Sequence, residues 1–315
     1  MPDGFFEIPV EELPPAKHMR HPFISLFRIA AIVAFPAVCV AQTIYVSETG
    51  NYSVDRFSPA GVRTVVAGGH GFALPFTEPY GMAFDSGGNL YVADGYSDTI
   101  QRISPDGALS MFANTGLSIP TGLAFDASGN LYAANWLNGT IERFTPNGVG
   151  SVFVSGLQSP WGLAFDAAGN LYVAGGVDNT IRRFAPDGTG SVFATVGVNG
   201  PFGLAFDSAG NLFVANQSDN AIERFTPGGV GSVFANTGLS APSGLTFDAA
   251  GNLYVTSQAD GKIINYTPGG QSSVFASGLQ HPTFIAAMIP EPSTLSLLGG
   301  VAAFLSIRSK LKAAS

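Results

Sequence analysis

Oxygen donors and aromatic rings recur in this chain at matched positions. Asp94, Asn135 and Asn216 each close an apolar, strand-like run and stand at equivalent places in a repeated pattern. Carboxylate and amide oxygens of that kind suit a hard cation such as Ca²⁺. Tyr80, Trp161 and Phe202 each follow a proline, and Trp136 follows Asn135. Rings mixed with Asn, Asp and Ser suit a sugar or peptide surface, because rings stack and amides fix orientation. A general base is harder to place. Glu142 and Glu223 fall on third strands of the repeat, away from its axis, and only His70 and His281 lie beyond residue 41. No nucleophile-elbow, zinc-helix or phosphate-loop pattern stands out. No cofactor is therefore expected on the leading reading, and Ca²⁺ belongs to an alternative enzymatic one.

These residues sit in a repeat. Prolines 79, 120, 160, 201 and 242 lead five blocks spaced 41, 40, 41 and 41 residues apart. Each block reads P-x-G-L-A-F-D-x-x-G-N-L-Y-V-A-N, then a variable stretch, then I-x-R-F-x-P-x-G-x-x-S-V-F-A. Each holds four β-type runs bounded by Gly, Pro, Asp and Asn. In turns such as Asp126–Gly129 the carboxylate can accept backbone N–H bonds and the glycine can take φ > 0. The first two runs are apolar at nearly every position, so both faces should be covered. Four antiparallel strands covered by copies of themselves make a propeller blade.

Partial copies at the ends set the blade number. Residues 278–286 match the start of a block, and residues 43–67 match its last three strands, with Ser47 read at the end of the second. Together they make one split blade that laces the ring shut and removes exposed edges. The expectation is an all-β, six-bladed β-propeller over 42–288, with its last blade closed by N- and C-terminal strands. Glycines 81, 122, 162, 203 and 244 should crowd the axis. Phe284 takes that place in the split blade, where it should plug or line the channel. The turns barely vary on one face of the disc. Variation collects on the other, at the loops entering the first strand and leaving the second, so a ligand face is expected there.

The ends carry other information. In residues 1–41 a basic start, an apolar run from Ile29 to Val40 and small residues up to Ala41 read as a secretory signal, with Met19 as its natural start. The lone Cys39 would leave with it. Between Gln42 and Ile289 there are 17 acidic and 8 basic residues, in a chain of net charge −8. The basic residues are spread through the blades, so nucleic-acid binding lacks its electrostatic basis. The recurrent arginine beside Phe is expected to pair with a neighbouring blade's carboxylate or carbonyls.

The F-D-x-x-G-N-L-Y-V-A-[ND] pattern resembles the NHL-repeat family of six-bladed propellers. That resemblance implies the fold, while such folds host unrelated activities. Relatives include metal-dependent lactonases with carboxylate and amide ligands at the channel mouth, a role Asp94, Asn135 and Asn216 could fill. They also include lyases relying on channel histidines, which have no clear counterpart here. Residues 289–315 resemble a PEP-CTERM sorting signal of Gram-negative bacteria: Pro290-Glu291-Pro292, the apolar run 295–307, then Arg308, Lys310 and Lys312. The resemblance implies an exosortase-type processing enzyme as partner and membrane contact through this segment only, before processing. It also implies release to the cell surface or extracellular matrix. The sequence thus favours a non-enzymatic, exported propeller binding a carbohydrate or protein, with Tyr80, Trp136, Trp161, Phe202, Asp94, Asn135 and Asn216 as ligand-face candidates.

Overall fold

The computed structural model describes residues 42–69 and 75–288. Ala41, Pro290, Glu291, Pro292 and His70 lie outside the described residues. Among the described residues twenty-four strands form six four-stranded antiparallel sheets, the blades of a propeller. Blade 1 comprises Pro79–Phe84, Leu90–Asp94, Thr99–Ile103 and Leu109–Ala113. Blades 2 to 5 begin at Pro120, Pro160, Pro201 and Pro242. Blade 6 is the expected split blade: Pro282–Met288 pairs with Thr43–Glu48, followed by Ser53–Phe57 and Arg63–Gly68.

The apolar pattern becomes a burial gradient. Second strands such as Leu131–Asn135 are buried at every residue, because neighbouring blades cover both faces. Fourth strands such as Gly150–Val154 start exposed and form the outer wall. The Asp of each Phe-Asp turn holds that turn: Asp126 Oδ1 accepts from the N–H of Ser128 (2.9 Å) and Asn130 (2.8 Å), and Gly129 takes φ +80°. The same bonds recur at Asp85, Asp166, Asp207 and Asp248.

Aromatic triads join the blades. Tyr91 on a second strand meets Phe112 of its own blade and Phe125 of the next, edge to face, at 4.8 and 5.0 Å. Tyr132, Tyr172 and Phe213 repeat the arrangement. Each such pair contributes about 1 kcal/mol beyond its buried area. The glycines pack at the axis as expected. A Cβ on Gly162 would lie 2.2 Å from the Phe202 carbonyl oxygen, and one on Gly203 2.1 Å from that of Ser243.

The recurrent arginines correct the expectation made for them. Arg102, Arg143 and Arg183 stand directly across from Tyr91, Tyr132 and Tyr172 on the second strand of their own blade. Their guanidinium groups interact with those phenols, and burial is the main cause that holds the phenols above their ordinary pKa. The reason is register: Tyr and Arg share one face of a paired rung.

Candidate functional site: the aromatic channel mouth

Six residues following the leading prolines ring the channel on one face: Tyr80, Thr121, Trp161, Phe202, Ser243 and Thr283. Three of them are short, and all three are fully buried. Thr121 donates to the Pro160 carbonyl (3.0 Å) and Ser243 to that of Pro282 (3.2 Å), each crossing to the next blade. The large residues meet over the space the short ones leave. Trp161 stacks on Phe202 with centroids 4.3 Å apart and planes 26° from parallel. Tyr80 meets Trp161 edge-on at 5.7 Å across blade 2, and Phe202 meets Phe284 at 5.3 Å across blade 5. Trp136 closes on Trp161 at 6.2 Å. The aromatic candidates therefore converge on one cluster.

Glycines make room for the two largest rings. A Cβ on Gly95 would fall 2.6 Å from the Tyr80 ring, and one on Gly176 2.5 Å from that of Trp161. Gly95 and Gly176 occupy the place of Trp136 in blades 1 and 3. Blades 4 and 5 carry Gln217 and Gln258 there, bonded to each other at 3.0 Å, and blade 6 carries Thr49, 3.2 Å from the Thr283 hydroxyl. The mouth thus has an aromatic half on blades 1 to 4 and an amide and hydroxyl half on blades 4 to 6.

Behind the aromatic cluster the channel narrows. A cavity of about 70 Å³ is lined by Met82, Leu123, Leu163, Leu204, Leu245 and Ile285, one from each blade, and by Phe284. Phe284 both lines this cavity and packs against Phe202, consistent with its place in the ring.

The oxygen donors are used differently. Asp94 is 1 % exposed. Its carboxylate accepts from the Thr77 N–H (3.0 Å), the Glu78 N–H (2.6 Å), the Thr77 hydroxyl (2.8 Å) and the Ser97 hydroxyl (2.7 Å). Asn135 Oδ1 accepts from the Ser118 N–H and Asn216 Oδ1 from that of Asn199, while their amide groups donate to the Gly116 and Gly197 carbonyls. Each side chain clamps the loop entering its own blade. Oxygens committed to N–H donors do not fit a Ca²⁺ ion, which needs six to eight free oxygen ligands. Among the described residues no group of three or more His, Cys, Asp or Glu gathers at metal-binding separation.

In blade 6 the clamp is Glu48, not Ser47: Pro282 pairs with Glu48 as Pro79 pairs with Asp94. Glu48 Oε2 accepts from the Gln280 N–H at 2.7 Å. Ser47 instead accepts from the Phe284 N–H (3.0 Å), the job of Thr256 in blade 5. The matching tyrosines, Tyr45 and Tyr91, would have shown this one-residue offset in the sequence.

The variable loops also have structural work. Asp98, Asn179 and Asn220 all sit at φ near +51°. Their side-chain oxygens accept from the N–H of Ile119 (2.6 Å), Gly200 (2.8 Å) and Ala241 (2.7 Å) in the following blade. These inter-blade latches were hidden in the sequence, although their 21-residue spacing to the next leading loop is a readable signal. Glu142 and Glu223 are buried on third strands, and burial first of all pushes their carboxyls up. His281 is exposed at φ +52°, directly before Pro282.

Six quartets with one axial motif, closed by strands from both ends, define a six-bladed propeller of NHL-like repeats. Within that class the assignment is specific: the chain belongs to the virginiamycin B lyase family, whose model matches residues 69–288. No curated protein matches the chain. Among solved structures it is similar to a catalytically inactive His-to-Ala variant of virginiamycin B lyase from Staphylococcus aureus with quinupristin, at 17 % identity and TM-score 0.60, covering 74 % of this chain and 80 % of that one. A structure of a nidogen/laminin complex aligns at 22 % identity and TM-score 0.70, covering 79 % and 98 %. A gluconolactonase from Xanthomonas campestris, XC5397, aligns at 18 % identity and TM-score 0.59, covering 79 % and 86 %. At these identities the likeness is one of fold.

Proposed function

We propose that this protein is an exported, non-enzymatic propeller that binds a carbohydrate or protein partner at the channel mouth. One observation carries the reading: the continuous aromatic cluster Tyr80–Trp161–Phe202, flanked by Trp136, with the Gln217–Gln258 amide pair on blades 4 and 5. A cluster of aromatic rings with paired amides on the neighbouring blades matches a ligand with one apolar face and one hydrogen-bonding edge. Residues 1–41 supply export in this reading. Residues 289–315 supply sorting by an exosortase-type enzyme, with the cell surface or extracellular matrix of a Gram-negative bacterium as destination. A glycan array and a pull-down with the purified propeller test the binding role. Trp161→Ala and Tyr80→Ala should each weaken a detected interaction at least tenfold, and undiminished binding in both would remove the mouth from consideration. Deleting residues 290–315 should alter surface display; unchanged display would end the sorting reading.

Family membership favours a second reading, a lyase or lactonase acting at the same mouth. The relative solved with quinupristin is inactivated by loss of a histidine. His281, the one histidine among the described residues, is exposed on a loop beside a leading proline. Incubation with quinupristin and with a lactone panel separates the readings. Turnover that survives His281→Ala but disappears in Trp161→Ala would place chemistry at the mouth and overturn the binding-only role.

A further inference from the structure

The groove between blades 4 and 5, on the turn face away from the mouth, has a phenylalanine where blades 1, 2 and 3 have a tyrosine. In blades 1, 2 and 3 a second-strand tyrosine reaches between an arginine and the turn aspartate. The Tyr91 hydroxyl donates to Asp85 Oδ2 at 3.3 Å and interacts with Arg102. Tyr132 lies likewise between Asp126 and Arg143, and Tyr172 between Asp166 and Arg183. Blade 4 has Phe213 in this place, directly across from Arg224. Its ring keeps the triad geometry, 5.0 Å from both Phe234 and Phe247, so only the hydroxyl is lost.

That loss leaves an acceptor and a donor facing one groove with nothing between them. Arg224 is exposed and forms no salt bridge among the described residues. Asp207 Oδ2 accepts from Asn211 Nδ2 but from no phenol. Both side chains line a groove of about 380 Å³ whose walls include Phe213, Phe234, Phe247 and Pro268. The groove between blades 6 and 1, where Tyr45 keeps its hydroxyl across from Arg56, measures about 180 Å³. A volume of ~300 Å³ or more, mostly apolar walls and a few convergent polar groups describe a small-molecule site.

We infer that this groove binds a small neutral phenol, whose hydroxyl enters between Arg224 and Asp207 while its ring lies against the phenylalanines. A hydroxyl can accept from the guanidinium and donate to the carboxylate at once, and the Tyr91 hydroxyl of blade 1 makes the second of these bonds, to Asp85. A bare anion would satisfy Arg224 but meet the like charges of Asp207 and Asp248, both of which line the groove.

The test is a titration of the purified propeller with 4-methylphenol, followed by calorimetry and by NMR of the arginine side chains. Saturable binding with a dissociation constant on the order of 1 mM is expected for a ligand of this size. Phe213→Tyr restores the residue of the sister blades. It should weaken binding at least tenfold without lowering the melting temperature, and the Arg224 signal should no longer shift. Trp161→Ala should leave the affinity within twofold, which separates this site from the mouth. No saturation, with water alone filling the gap, would overturn the inference, as would equal affinity in Phe213→Tyr.

Discussion

At the scale of single residues, the near-identical repeats turn substitutions into internal comparisons. The axial glycines are dictated by backbone contact, since the atoms a Cβ would strike on Gly162 include the Phe202 carbonyl oxygen and the Gly203 Cα. Neither can swing aside. Gly162→Ala should therefore cost about 3 kcal/mol or more of stability, measurable by chemical denaturation, because overpacking against backbone has no rotamer to relax it. The clamps give the next expectation. Asp94→Ala leaves two loop N–H groups and two hydroxyls without their acceptor. A loss of roughly 2–4 kcal/mol follows from unsatisfied buried donors, and added Ca²⁺ should not change the melting temperature of the unmutated protein. A calcium-dependent rise would restore Asp94 as a metal ligand. These residues were visible in the sequence as oxygen donors at equivalent positions. Their task was not, because it depends on the loop seventeen residues upstream in chain folding back under them.

Among the elements, the closure of blade 6 stands apart. Glu48 on Thr43–Glu48 and Asp55 on Ser53–Phe57 are wholly buried, and Arg63 lies 2.7 Å from the first and 2.5 Å from the second. Two carboxylates share one guanidinium. Burial first, and then the hydrogen bond and charge of Asp55, raise the Glu48 carboxyl to about 8, against the opposing pull of Gln280 and Arg63. A carboxyl whose pKa is higher in the folded state than in the unfolded one, near 4.5, disfavours folding as it ionises. Its contribution to stability is therefore best below about pH 4.5 and is lost as pH rises towards 8. Chemical denaturation at pH 5 and pH 8.5 should show this fall, and Glu48→Gln should flatten it; a parallel fall in the variant would refute the assignment. The strand order and the split blade were legible from the partial copies, and the Glu48 position from matching Tyr45 to Tyr91. The register shift between Val46 and Glu48 is the one found in every blade, so Pro282 pairs with Glu48 as Pro79 pairs with Asp94.

For the molecule as a whole, stability rests on a ring rather than on separable blades. Five inner strands pack against the next across an axial glycine, Phe284 takes that place in the sixth, and Pro282–Met288 joins Thr43–Glu48 to complete the circuit. Removing residues 282–288 should expose a free edge and replace one cooperative thermal transition by a broad, earlier one; an unchanged sharp transition would show that closure contributes little. The period, the four strands per blade, the turn chemistry and the six-fold count follow from the amino-acid order alone, because they rest on local propensity and on copies that agree. Tertiary structure alone decided which variable residues meet. Trp161 and Phe202 are 41 residues apart yet stack at 4.3 Å, while Thr121 and Ser243 at equivalent positions turn inward to the backbone of the next blade. The physical reason is closure: bending the chain into a ring brings equivalent positions to one axis, where the space left by a short side chain decides which long ones touch.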